Sequence, residues 1–149
     1  MAETRKKARA LGINHVVLEV GDIDEALAFY GAIFDFELRG RGETNAFIDM
    51  GDQFMQLTLN TGATPDTKRH FGFVVDHREG IREAAIAAGA EMLGDRLNFR
   101  DPWGNRIEVV PYDNIQFTKA PAVLRGMGLD GLGKTDEARE ELAKKGMAP

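Results

Sequence analysis

The sequence predicts an α+β fold of two βαβββ modules forming a curved mixed sheet, followed by a short C-terminal helix. Three observations carry that prediction. Two histidine-led apolar runs, HVVLEV from His15 and HFGFVV from His70, open similar stretches of chain. The block DFEL begins twenty residues after His15, and AEML begins twenty residues after His70. In each half, seven positions then separate an aspartate (Asp49, Asp101) from a later polar residue (Gln56, Glu108). An ordered series of matching offsets marks an internal repeat, even where identity between the halves is low and the first half carries a loop three residues longer.

Each module is read in the same order. Residues 13–20 and 71–75 are rich in β-branched and aromatic side chains and predict opening strands. Asp22 or Asp24 can cap a first helix whose apolar stripe is Ala26, Leu27, Phe29, Tyr30 and Ile33. Residues 78–88 place Ile81, Ala84, Ala85 and Ala88 at helical spacing, and Gly89 ends that helix. Three short strands follow each helix, with hairpin turns at Met50-Gly51-Asp52 and at Asp101-Pro102-Trp103-Gly104-Asn105. The predicted boundaries are an N-terminal tail over 1–12, one domain over 13–118 and an extension over 119–149. Within the domain, module one is 13–60, the Gly- and Pro-containing linker is 61–68, and module two is 69–112. Residues 114–134 are glycine-rich and poorly patterned. Thr135 then caps a helix over about 135–145, with Asp136 and Glu137 in its first turn and Lys144 and Lys145 in its last.

Composition narrows the function. A chain of 149 residues is long enough for one domain with a true core. The net charge of −5 and the lack of a basic face argue against nucleic acid, and the cluster Arg5, Lys6, Lys7, Arg9 reads as a solvated tail. No cysteine is present, which removes disulfide and thiolate chemistry. No signal peptide or membrane-length apolar run is visible, so the expectation is a cytoplasmic protein without a membrane partner.

Strand alternation puts His15, Val17 and Glu19 on one side of the first strand. Gln56 and Thr58 share a side of the fourth strand, and Arg106, Glu108 and Val110 share a side of the eighth. His15 and His70 hold equivalent repeat positions, as do Gln56 and Glu108. A pseudo-twofold arrangement would bring these four onto one concave face, as ligands of one divalent metal. Two imidazoles and a carboxylate suit Fe, Mn, Co, Ni or Zn. A lone histidine beside apolar residues is ordinarily a core residue, and it is the matched positions that favour ligation. Glu108 supplies the only negative charge, so the site would retain positive charge and favour an anionic or enolate-like ligand. The same glutamate is the candidate catalytic base. Strand parity makes Phe54, Thr58 and Arg106 the candidate substrate-binding residues. His77, beside the second helix, is expected to face solvent.

Two further features are set aside. Gly128 to Thr135 fits G-x-x-x-x-G-K-[ST] letter for letter, but a phosphate loop belongs to an α/β sheet, and no further strand or Mg-binding aspartate is read after Thr135. Trp103 is read as a turn residue.

The stretches NHVVLEVGDIDEALAFY, FMQLTLN, RHFGFVVD and DPWGNRIEVV resemble the vicinal oxygen chelate superfamily, over roughly residues 13–112. That superfamily includes glyoxalase I, fosfomycin-resistance proteins, extradiol dioxygenases, methylmalonyl-CoA epimerase and the bleomycin-binding proteins. The resemblance implies paired modules forming an open cup, usually a homodimer, with metal positions on the first, fourth, fifth and eighth strands. These fall on His15, Gln56, His70 and Glu108. Bacterial glyoxalase I members generally carry Glu where this chain has Gln56, so the second carboxylate of a two-base proton shuttle is absent from that position. The second base of methylmalonyl-CoA epimerase has no convincing counterpart, most dioxygenases are much longer, and the extra substrate and cation segments of fosfomycin-type proteins are not identifiable. The expectation is therefore a metal-dependent lyase, isomerase or dioxygenase acting on a small oxygen-bearing substrate. The alternative is a metal-free sequestering protein of the bleomycin-resistance type. A third reading gives the tail a role in protein association.

Overall fold

The computed structural model describes residues 7–147. Residues 1–6 of the expected tail, Arg5 and Lys6 included, lie outside that range, whereas Lys7 and Arg9 are exposed. Module one runs β1 (His15–Val20), α1 (Ile23–Ile33), β2 (Leu38–Arg41), β3 (Asn45–Asp49) and β4 (Phe54–Leu59). Module two runs β5 (Phe71–Val75), α2 (Ile81–Ala88), β6 (Glu91–Met92), β7 (Asn98–Arg100) and β8 (Arg106–Pro111). The βαβββ order of both modules follows the repeat. The predicted curved sheet consists of two separately hydrogen-bonded four-stranded sheets, ordered β1-β4-β3-β2 and β5-β8-β7-β6. In each, the first and last strands of the module pair in parallel and the others are antiparallel.

The helices obey local rules. Asp22 has extended backbone and its carboxylate accepts the Glu25 amide hydrogen at 2.8 Å, so Asp22 rather than Asp24 is the cap of α1. The predicted second helix begins three residues late, at Ile81. Gly80 lies at φ 76°, a left-handed conformation that cannot be part of a right-handed helix, so residues 78–80 form a turn instead. Gly89, at φ 97°, ends the helix as expected.

Alternation then decides what each sheet buries. Leu18 and Val20 of β1, Ile48 of β3, and Met55 and Leu57 of β4 face inward, as do Phe99, Ile107 and Val109 of module two. They share one core with Ala26, Phe29 and Tyr30 of α1 and Ile81 and Ala85 of α2. The modules meet within it: Phe29 meets Phe99 with centroids 6.3 Å apart, and Phe34 meets Phe73 at 5.1 Å. The inner faces are thereby consumed, and the alternate residues of both sheets point away from the common core.

The extension returns to module one. A helix that patterning did not predict, α3 (Pro121–Gly126), starts with proline at a position needing no amide hydrogen and buries Leu124. Its Val123 and the following Met127 pack over Gly51 in the β3–β4 turn. The Lys119 ammonium donates to Asp52 and to the Met50 carbonyl. The predicted last helix is α4 (Asp136–Ala143), capped by the Thr135 hydroxyl and buried through Ala138 and Leu142. Lys134 donates to the carbonyls of Tyr112, Ile115 and Phe117, and lies 3.6 Å from the Tyr112 ring centre. In the phosphate-loop-like string, the lysine is thus occupied by the chain itself. Among the described residues no helix is long and apolar enough to cross a membrane.

Candidate metal centre

Three of the four predicted ligands, His15, Gln56 and Glu108, stand on the outward faces of their sheets. In β1, Val16, Leu18 and Val20 turn inward, and His15, Val17 and Glu19 are exposed between them. In β4 the buried Met55 and Leu57 leave Phe54, Gln56 and Thr58 on the other face. The register pairs His15 with Phe54 and Val17 with Gln56, so His15 and Gln56 occupy neighbouring positions of one surface. In module two, Ile107 and Val109 turn inward and Arg106, Glu108 and Val110 outward, with Glu108 opposite Gly72 in β5. His70 immediately precedes β5.

Both imidazoles use Nδ1 as a donor, to partners of different kinds. His70 Nδ1 donates to the Lys68 carbonyl at 2.8 Å, and a carbonyl can only accept, so in the neutral ring Nε2 carries the lone pair. That Nε2 lies 3.6 Å from Glu108 Oε2. His15 Nδ1 lies 2.9 Å from the amide oxygen of Asn14, which again leaves Nε2 as the free nitrogen. Metal-bound histidines characteristically donate their second ring N–H in this way. Gln56 donates its amide nitrogen to Thr58 Oγ1 at 2.9 Å, leaving its carbonyl oxygen as the free end. The donor set suits a divalent cation: two imidazole nitrogens, one carboxylate and one neutral oxygen.

These groups are divided between two places. His70 and Glu108 come together, and His15 and Gln56 share the other sheet. Among the described residues no three His, Asp or Glu side chains gather closely enough to hold a metal ion. Within the described chain the four residues stand as two pairs, His70 with Glu108 and His15 with Gln56. Two clefts, of about 550 and 490 Å³, lie elsewhere. The first lies between the linker and the β7–β8 turn and the second beside the end of α1.

The other predicted residues have definite partners. Phe54 stacks on His15, with centroids 4.7 Å apart and planes 7° apart. Thr58 receives the Gln56 hydrogen bond. Arg106 donates to Asn98 Oδ1 at 3.2 Å and to the Thr67 carbonyl at 2.8 Å, so part of its guanidinium ties the linker to β8. His77 is exposed beside Asp76. The half-buried Trp103 packs against Gly21. Two contributors were not foreseen. Asn14 holds His15, and Arg39 lies over Phe54 with its guanidinium carbon 4.8 Å from the ring centre. The β2–β3 register shifts between Leu38 and Gly40, so simple alternation could not have assigned Arg39 a face.

Comparison with known proteins agrees with this architecture. Residues 12–109 match the model of the glyoxalase/bleomycin resistance protein/dioxygenase superfamily. A curated relative, metallothiol transferase FosB of Shouchella clausii, is 28% identical over an alignment covering 66% of this chain and 78% of that protein. A glyoxalase/bleomycin resistance protein of Albidiferax ferrireducens superimposes with a TM-score of 0.59 at 20% identity, covering 66% of this chain and 97% of that one. A single-residue mutant of the fosfomycin resistance protein FosX of Listeria monocytogenes was solved in complex with Mn(II) and 1S,2S-dihydroxypropylphosphonic acid. It superimposes with a TM-score of 0.57 at 22% identity, covering 68% of this chain and 90% of that one. The repeat, the paired sheets and the matched span agree, and the chain belongs to the glyoxalase/bleomycin resistance protein/dioxygenase superfamily.

Proposed function

We propose that this protein is a metal-dependent enzyme acting on a small, oxygen-bearing, anionic substrate, and that its complete site forms between two copies of the chain. The observation that carries the reading is the pair His70 and Glu108. With Nδ1 donating to Lys68, an imidazole lone pair and a carboxylate face each other at 3.6 Å, and two acceptors in that arrangement are satisfied by a shared cation. His15, presented with a free Nε2, and Gln56, with a free carbonyl oxygen, form the complementary half. In a twofold dimer, module one of either copy can meet module two of the other, so two equivalent sites arise together. The half-exposed apolar Val17, on the same face as His15, supplies surface for such a contact.

His15, His70 and Glu108 would hold the cation (Fe, Mn, Co, Ni or Zn), with Gln56 as a fourth, neutral donor. Bound there, it acts as a Lewis acid, stabilising developing negative charge on substrate oxygen by several kcal/mol. Glu108, on leaving the cation, would accept a substrate proton. Phe54, Thr58 and Arg106 border the substrate, with Arg106 favouring an anion. The Mn(II) and phosphonic acid bound by FosX, and the metallothiol transferase activity named for FosB, support a divalent metal and an oxyanion substrate. Within the superfamily, lyase, isomerase, dioxygenase and group-transfer chemistry all fit this arrangement. A cytoplasmic location accompanies the reading.

Subunit mixing tests it. His15→Ala and His70→Ala proteins are purified, and their metal content and mass are measured alone and after subunit exchange. Each alone is expected to hold under about a tenth of an equivalent of metal. The mixture regains about a quarter per chain, because half the dimers carry one intact site of two. Retention of metal by both single variants would refute the ligand assignment. Loss of metal in each with no recovery in a mixed dimer would refute the shared site. If both variants keep small-molecule binding without metal, the protein is a sequestering one.

A further inference from the structure

The two candidate ligand histidines are fixed differently, and the difference points to a positioning device in module one. His70 is tied to a backbone carbonyl and faces Glu108. His15 is exposed, and its Nδ1 partner is the side chain of its own exposed neighbour Asn14, a bond for which water competes. Phe54 and Arg106 occupy equivalent places in the two modules, each two residues before the fourth-strand donor. Arg106 is directed to Thr67 and Asn98, whereas Phe54 lies flat against the His15 ring.

Phe54 is itself held. The Arg39 guanidinium lies 4.8 Å from its ring centre, and the edge of Phe47 approaches at 5.9 Å. Arg39 is anchored by donating to Asp49 at 2.7 and 3.2 Å and to the carbonyls of Gly51 and Gln53 at 3.1 Å. The β3–β4 turn, Arg39, Phe54 and His15 thus form one continuous stack. Parallel rings at 7° restrict rotation of the imidazole about its Cβ–Cγ bond. A ligand whose orientation is set before metal binds loses less freedom on binding.

We propose that Phe54, backed by Arg39, is a positioning residue that holds His15 in its metal-binding orientation. The proposal rests on the reading of His15 as a ligand. Co(II) is the probe, because its visible spectrum reports coordination geometry, and affinity is measured by competition with a chelator on the full chain. Phe54→Leu is expected to weaken Co(II) binding about ten- to a hundredfold, as loss of a ligand-orienting partner does, and to change the spectrum. Phe54→Tyr, which keeps the stack, stays within about twofold. Arg39→Met gives a smaller loss in the same direction, and it also serves as the test variant if Phe54→Leu does not fold. The metal-free denaturation midpoint separates positioning from general instability. Wild-type Co(II) affinity in a folded Phe54→Leu or Arg39→Met protein, alongside loss in His15→Ala, would overturn the positioning role and leave the ligand intact. An unchanged spectrum and affinity in His15→Ala would instead overturn the ligand reading itself.

Discussion

The Tyr30 hydroxyl donates to Asp101 Oδ2 at 2.7 Å, joining the helix of one module to the β7–β8 turn of the other. Both residues are buried. Asp101 also accepts the backbone amides of Trp103 and Asn105 and the Asn105 side chain, which in turn donates to the Glu19 carbonyl in β1. Burial raises the Asp101 carboxyl above its ordinary 3.8, against the pull of these bonds, and burial beside Asp101 pushes the Tyr30 hydroxyl well up. A polar network so enclosed fixes the relative setting of the modules, because each donor lost leaves an acceptor without water.

Tyr30→Phe should therefore destabilise the protein by about 1–3 kcal/mol, lowering the melting point roughly 2–4 °C per kcal/mol. Urea denaturation measures it, and an unchanged midpoint would remove the network from the account. Asp101 also sets a sign for pH. Its folded-state value is raised, so the native state keeps the proton longer than the unfolded chain does. Stability from this group falls as pH rises from 3.8 through the folded value. Asp101→Asn should flatten that segment of the stability curve.

Asp52 carries the opposite sign. The Lys119 hydrogen bond lowers its carboxyl below 3.8, so its contribution is complete above that pH and lost as pH falls through the folded value. Because Lys119 begins the extension that covers the β3–β4 turn, Asp52→Asn should make the segment around residues 115–120 more susceptible to protease at neutral pH. A cleavage rate equal to wild type would count against that anchor.

Gly104 lies at φ 91°, and a Cβ there would come within 2.5 Å of Pro65 Cα. Gly104→Ala combines a left-handed backbone, costing about 1–3 kcal/mol, with displacement of the linker that Asp66 ties to Gly104. The loss should exceed that of Gly126→Ala, whose Cβ would meet nothing within 4 Å. Thermal melts of the two variants compare them directly.

Leu142→Ala should cost about 2–5 kcal/mol, the usual range for a buried leucine, since Leu142 anchors α4 on the body. Hydrogen exchange then reads whether α4 opens separately from the modules. Unaltered protection of α4 would contradict the anchoring role.

Divalent metal should raise the melting point of the wild type by mass action, about 2.7 kcal/mol at a hundredfold excess over the dissociation constant. Chelation should reverse the gain, and Glu108→Gln, which removes the carboxylate of the proposed ligand set, should abolish it. A metal-induced shift of equal size in Glu108→Gln would show that the ions bind elsewhere.

Much of this was legible from local pattern. Alternation along β1, β4 and β8 announced which side chains face inward, because a strand's two faces are set by parity alone. The repeat announced the module order, and Asp22 or Asp24, Gly89 and Thr135 announced helix ends through their capping chemistry, with the structure choosing Asp22. Local pattern missed features set by the neighbours. The late start of α2 depends on the backbone at Gly80, the place of Arg39 on a register shift, and α3 on the surface that module one offers Leu124 and Val123.

By itself, then, the sequence determined two modules and four polar side chains on their outward faces, since those follow from spacing along the chain. Only the tertiary structure decided how the modules meet. Their inward faces are more apolar than their ligand faces, so burial joins the modules through the core of Phe29, Phe99 and the helices. That packing accompanies the approach of His70 to Glu108 in module two and of His15 to Gln56 in module one, contacts between segments that no local pattern records.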